Sequence, residues 1–172
     1  MLAAATALWV AVTRTARAED GRPPELARLG VFVGKWNVVV DMAASGVSPA
    51  GKFVGINAAS WEFDGYFLVM RIAGKENGRP MSEIQLLGWD PEGKRFTYDS
   101  FNSFGRRSSF RGTVSGDTWT WSSETMAGGA KLQVRYVQRF ASNELMTFKI
   151  ETSTDGAHWT TAVTGRATRA IP

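Results

Sequence analysis

From about residue 35 onward, apolar and polar residues alternate along the chain in short runs, the pattern of strands with one buried face. Turn residues break the runs at Asp64-Gly65, Asn77-Gly78, Asp90-Pro91-Glu92-Gly93, Gly116-Asp117, Gly128-Gly129, Ser142-Asn143 and Asp155-Gly156. They predict about ten strands, near residues 35–42, 51–63, 66–73, 81–90, 94–102, 106–115, 118–125, 131–141, 145–153 and 158–170. One short helix precedes them. Pro23-Pro24-Glu25 opens it, Leu26, Leu29 and Val33 share a face, and Gly34 ends it.

Hairpin loop length sets register, and register decides which residues share a face. A tight turn at Asp64-Gly65 pairs Trp61 with Leu68 and Ala59 with Met70. Gly116-Asp117 pairs Val114 with Trp119 and Gly112 with Trp121. A loop of Pro91-Glu92-Gly93 sets Leu86 opposite Tyr98 and Ile84 opposite Ser100, and Asp155-Gly156 sets Ile150 opposite Thr161. At Ser142-Asn143 a three-residue loop pairs Gln138 with Phe148 and Tyr136 with Ile150. It also brings Arg135 against Glu151 on the other face, an opposite-charge pair worth ~0.2–1 kcal/mol.

The hairpins agree on one apolar face: Trp61, Leu68, Met70, Ile84, Leu86, Tyr98, Phe110, Trp119, Trp121, Tyr136, Phe148, Ile150, Trp159 and Val163. Glu62, Arg71, Glu83, Gln85, Arg111, Arg135, Lys149 and Glu151 fall on the other. One short helix cannot cover such a face, so the sheet must close on itself. The expected fold is all-β: an antiparallel up-and-down barrel of about ten strands with one N-terminal helix.

Composition narrows the chemistry. With 172 residues the chain suits one domain, and with no cysteine and a single histidine, His158, it has no thiolate or multi-histidine metal site. Residues 1–18 read as a signal peptide. Leu2–Val12 is an apolar run too short to span a bilayer, and Ala16-Arg17-Ala18 offers a cleavage site before Glu19. The mature domain is then residues 19–172, periplasmic or secreted, with no integral membrane span. Loss of Arg14 and Arg17 leaves 18 basic against 16 acidic side chains, too balanced for nucleic-acid binding.

A barrel of this width leaves interior volume, and polar groups set among inward aromatics make a small-molecule pocket. The candidate ligand-binding residues are Trp61, Met70, Leu86, Tyr98, Ser100, Phe110, Trp121, Tyr136, Gln138, Phe148 and Thr161. An inner face with almost no charge points to a neutral, largely apolar ligand, because a buried unpaired charge is costly. Two alternatives stand beside this. A cofactor-independent isomerase or cyclase would use Tyr98 and Tyr136 as proton donors with Gln138 as stabiliser, since Asp99 and Glu83 face solvent in this register. A filled-barrel interaction protein would instead use exposed Trp89, Phe101 and Phe104. No nucleophile triad, phosphate loop or metal spacing is present, so no catalytic residue, metal or cofactor is assigned. A haem on His158 is disfavoured because that residue falls outside the barrel.

Gly34-Lys35-Trp36, directly after a helix and opening the first strand, resembles the G-x-W signature of lipocalin and calycin barrels. In that superfamily the tryptophan packs at the closed end beneath an arginine of the last strand. Arg169 occupies that place here, so the resemblance implies a structural cation–π pair between Trp36 and Arg169. With Leu87-Gly88-Trp89-Asp90 and Asp155-Gly156, the chain from about Pro23 to Ala170 also resembles a bacterial family of secreted proteins of unknown function with a calycin-like barrel. The superfamily implies binding of small apolar molecules and supplies no catalytic residue to carry over.

Overall fold

The computed structural model describes residues 21–45 and 49–170. The apolar leader and its cleavage site, residues 1–18, lie outside the described residues. Ten strands follow in chain order: β1 (Gly34–Met42), β2 (Gly51–Glu62), β3 (Phe67–Glu76), β4 (Arg79–Asp90), β5 (Arg95–Asn102), β6 (Arg107–Ser115), β7 (Thr118–Ala127), β8 (Ala130–Ser142), β9 (Leu145–Ser153) and β10 (Thr160–Arg169). Each is antiparallel to its chain neighbours, and β10 pairs with β1 to close the barrel. Closure hides the apolar face and leaves no free edge. No helix among the described residues is long and apolar enough to cross a membrane.

The N-terminal helix is a 3-10 helix, Pro24–Phe32, and this corrects one expected contact. Its buried residues are Leu26, Leu29 and Phe32, spaced for three residues per turn, so Phe32 and not Val33 completes the face. The Phe32 ring lies 5.2 Å from Trp119 and 5.1 Å from Phe140, sealing one end of the barrel. Trp119 continues the plug, 4.8 Å from Phe96 and stacked on Trp121 at 5.5 Å. Trp89 joins it from β4, 4.8 Å from Phe96, and is therefore an inner-face residue rather than part of a surface patch.

Most pairings follow the turns. Trp61 opposes Leu68, Gly112 opposes Trp121, Gln138 opposes Phe148 and Arg135 opposes Glu151, with an ion pair of 2.8 Å. Two glycines make room for large rings inside. A Cβ on Gly112 would collide with the Trp121 indole, and one on Gly165 with the Phe148 ring.

Two registers differ from expectation. The β4–β5 loop has four residues, not three, because Asp90 pairs with Arg95 and Lys94 takes a left-handed conformation at φ 49°. Asp90 Oδ1 steadies it by accepting from the Gly93 amide at 3.0 Å. A one-residue slip turns every side chain over, so Leu87, not Leu86, opposes Tyr98. Ile84 and Leu86 face outward, and Glu83, Gln85 and Trp89 face inward. In the last hairpin the loop runs from Thr154 to Trp159, and a bulge lies between Thr161 and Val163. Ile150 therefore opposes Val163, and Thr161 is exposed. Trp159 sits outside, under the Arg135 guanidinium at 4.1 Å.

The seam between β1 and β10 carries the implied pair. Trp36 and Arg169 are register partners, with the guanidinium 4.2 Å from the indole centroid. Arg169 also donates from Nη1 to the Val33 carbonyl and from Nε to the Asn143 carbonyl, each at 2.8 Å. A cation–π contact contributes ~0.5–2 kcal/mol and each charged hydrogen bond ~1.5–3 before solvent screening. We expect R169A to lose about 2–4 kcal/mol in urea unfolding, and R169K to recover little of it because an ammonium lacks the planar fork. A loss of less than about 0.5 kcal/mol, the level of an ordinary surface substitution, would show that the seam closes without it.

Candidate functional site

Above the aromatic plug the barrel is hollow. The cavity has a volume of about 740 Å³, in the range of small-molecule sites. Phe32, Trp36, Gln138 and Met146 form its floor, and the cavity reaches the strand ends away from the helix, where Arg106, Arg107 and Met126 rim it. The interior is thus filled at one end and open at the other.

Of the candidate ligand-binding residues, Met70, Tyr98, Ser100, Phe110, Tyr136, Gln138 and Phe148 line this cavity. Four of them form an edge-on aromatic chain, Phe110–Tyr98 at 5.4 Å, Tyr98–Tyr136 at 6.2 Å and Tyr136–Phe148 at 5.8 Å. Trp121 lies behind the wall, fully buried, with Nε1 donating to Gln138 Oε1 at 2.8 Å. Trp61 packs against the hydrophobic core without lining the cavity. Leu86 and Thr161 lie outside the lining, for the register reasons given above.

Sequence reasoning missed Asn57, Glu83 and Gln85, all of which line the cavity. Asn57 lies on β2 and the other two on β4, with β3 between them. Asn57 opposes Ile72, Ile72 opposes Glu83, and Glu83 opposes Asn102, while Gln85 opposes Met70 and Ser100 one step below. The signal was available. A two-residue turn at Asn77-Gly78 pairs Met70 with Gln85, which puts the odd-numbered residues of β4 inside.

These residues change the electrostatics of the interior. Gln85 Nε2 donates to Glu83 Oε1 at 2.6 Å, and burial raises the Glu83 carboxyl above its ordinary value against the opposing pull of that bond and of Arg106, with Glu76 adding to the rise. Arg106 is itself engaged, its guanidinium on Glu76 at 2.7 and 2.9 Å. The Tyr98 and Tyr136 hydroxyls are raised by burial first and by the Glu83 charge second. Asn57 is 9% exposed; its Nδ2 reaches the Met70 sulfur at 3.3 Å, and its Oδ1 has no hydrogen-bond partner among the described residues. The expectation of an almost uncharged inner face therefore fails at Glu83.

The remaining candidates sit at the surface. His158 is exposed on the β9–β10 loop, its Nδ1 2.7 Å from Asp155 Oδ2, away from the cavity. That contact and three backbone or hydroxyl donors hold the Asp155 carboxyl well below the usual range. Phe104 is clasped at the rim between Arg79 at 5.4 Å and Arg106 at 5.1 Å. Phe101 remains 44% exposed.

Residues 23–169 match a family described as protein of unknown function, DUF1579. The chain belongs to the DUF1579 family. No curated protein matches it in sequence. Among solved structures, this DUF1579 barrel is similar to Rv2717c from M. tuberculosis, at 12% identity and TM-score 0.56, over 88% of this chain and 100% of that one. It is also similar to the S-type phycobiliprotein lyase CPES from Guillardia theta, at 14% identity and TM-score 0.53, over 85% and 92% of the two chains. A redesigned β-barrel, mFAP0, bound to DFHBI matches at 14% identity and TM-score 0.46, over 81% and 99%. At these identities the likeness shows the fold alone.

Glu83 gives the DUF1579 barrel a pH signature. A carboxyl whose folded value lies above its unfolded value binds more protons in the folded state, so it lowers stability as pH rises from about 4.5 through the folded value. We expect E83Q to gain on the wild type progressively between pH 4 and pH 7 in urea unfolding. A constant difference across that window would mean that the carboxyl titrates as it does in water.

Proposed function

We propose that this protein is a small-molecule binding barrel, periplasmic or secreted, whose ligand is largely apolar. The observation that carries this reading is the cavity of about 740 Å³ lined by Met70, Phe110, Tyr136, Phe148, Ile150 and Val163. A barrel serving only as a surface scaffold has no need of such a space, and filling it with side chains would raise stability. The expected absence of charge on the ligand rested on an uncharged inner face. With Glu83 inside, an anion is disfavoured, and a neutral or positively charged ligand is what the lining accepts.

Location outside the cytoplasm rests on the apolar run Leu2–Val12 and the small residues Ala16 and Ala18. Expression with the leader in a bacterium with an outer membrane is expected to yield a processed chain beginning at Glu19. Recovery of the uncleaved chain from the cytoplasm alone would remove this part of the reading.

Binding itself is tested with N-phenyl-1-naphthylamine, a weakly basic fluorophore that is uncharged at neutral pH and brightens in apolar surroundings. Saturable enhancement is expected with the wild type. V163F, which places a ring in the hollow part of the barrel, should weaken it at least tenfold while leaving the unfolding midpoint unchanged or higher. Enhancement that never saturates, or that ignores V163F, would count against an interior site.

A further inference from the structure

The ionisable groups lining the cavity are Glu76, Glu83, Glu124, Arg106 and Arg107, three carboxylates against two guanidiniums, in a chain whose formal charge is +4. Glu124 is exposed and paired with Lys131 at 2.8 Å, and Arg107 lies exposed at the rim. Arg106 is committed to Glu76, so Glu83 is the deep charge without an ion-pair partner among the described residues. Its side-chain hydrogen-bond partner is the neutral Gln85 amide. A buried carboxylate in this position is costly until a cation joins it.

The hydrogen-bonding inventory points the same way. The Gln85 amide donates to Glu83, while the amides of Asn57 and Gln138 donate to the sulfurs of Met70 and Met146 at 3.3 and 3.5 Å. Those three amide donors are thus committed, and a ligand head in this part of the cavity meets the Glu83 carboxylate and the hydroxyls of Tyr98, Ser100 and Tyr136, which donate or accept. Asn57 Oδ1 is buried with no donor among the described residues, a cost of about 1–3 kcal/mol that the wall itself bears, since the atom is closed off from the cavity. It lies in the same cross-strand row as Glu83, separated by Ile72 on β3, which places the two backbones about 10 Å apart at the usual strand spacing. Tyr98 and Tyr136 line the same cavity and feel the Glu83 charge, offering π-faces to a cation.

We propose that the ligand of this cavity is an apolar amine: a hydrophobic body carrying a protonated nitrogen, with Glu83 as its counter-ion. This rests on the binding-barrel reading and specifies its ligand class. The aliphatic wall of Val38, Val40, Ile150 and Val163 takes the body, and the polar wall on β2, β4 and β5 takes the head. Carboxylates of the same length are disfavoured, because deep in the cavity they would meet Glu83, while Arg107, the lining cation without an ion pair among the described residues, lies exposed at the rim.

The test uses three ligands with one tail: 1-aminodecane, 1-decanol and decanoate, each competing with N-phenyl-1-naphthylamine at pH 7. The amine is expected to displace the fluorophore at least tenfold more effectively than the alcohol, and the alcohol better than the carboxylate. E83Q should erase the advantage of the amine over the alcohol, with an unfolding midpoint at pH 7 no lower than that of the wild type, which shows that the barrel is folded. Equal displacement by amine and alcohol in the wild type, with the fluorophore bound, would overturn the amine assignment and leave the binding-barrel reading standing. Failure of the fluorophore and of all three ligands to bind would overturn both.

Discussion

The barrel depends on a seam that its last strand makes with its first, and Arg169 is where that seam is fastened. Its guanidinium covers the Trp36 indole and reaches two carbonyls, one at the end of the helix segment and one in the β8–β9 loop. Trp36 in turn donates to the Phe32 carbonyl at 2.9 Å. One cation thus ties helix, first strand, last strand and a neighbouring loop at the same end of the molecule. Closing a sheet between the two ends of a chain is the most non-local pairing the fold contains, and its loop-closure cost is not met by local contacts. Concentrating charge-assisted bonds and a cation–π contact at that point offsets the cost where it falls.

The same end also decides where the barrel can be empty. Phe32, Trp119, Trp121, Phe96 and Trp89 stack into a plug, and the helix lies over it. Large rings supply the buried area that stability requires within a few strand turns. The opposite half can then dispense with a packed core and remain hollow. Gly112 and Gly165 serve this division, one admitting the Trp121 indole into the plug and the other letting Phe148 lie against the cavity wall. Stability and binding occupy separate ends of one tube.

Much of this was legible in the residues. Turn chemistry gave the ten strands, the Trp61–Leu68 and Gly112–Trp121 pairs, and the Arg135–Glu151 contact, while the G-x-W resemblance gave the Trp36–Arg169 pair. The failures share one physical cause. Side chains alternate with every residue, so a loop miscounted by one residue turns a whole strand over. Lys94 in a left-handed conformation is what lengthens the β4–β5 loop, and lysine is not a residue that advertises that geometry. The apolar pair Ile84 and Leu86 made the wrong face of β4 look like the right one. In β10 a bulge and a loop wound around Asp155 replaced a tight turn, which moved Trp159 and Thr161 outside.

That single inversion of β4 is also what changes the functional reading. Placing Ile84 and Leu86 inside describes a greasy interior with scattered hydroxyls, and such an interior asks only for an apolar ligand. Placing Glu83 and Gln85 inside, in line with Asn57, describes an interior with one apolar wall and one acceptor-rich wall. A purely apolar ligand would leave Glu83 without a counter-charge. A sheet that only needed to bury hydrophobic surface had Ile84 and Leu86 to hand on the same strand, one residue out of phase. The fold leaves them half-buried on the outer face and turns the carboxyl inward, which is costly for stability and makes sense where the cavity has to hold a particular chemistry.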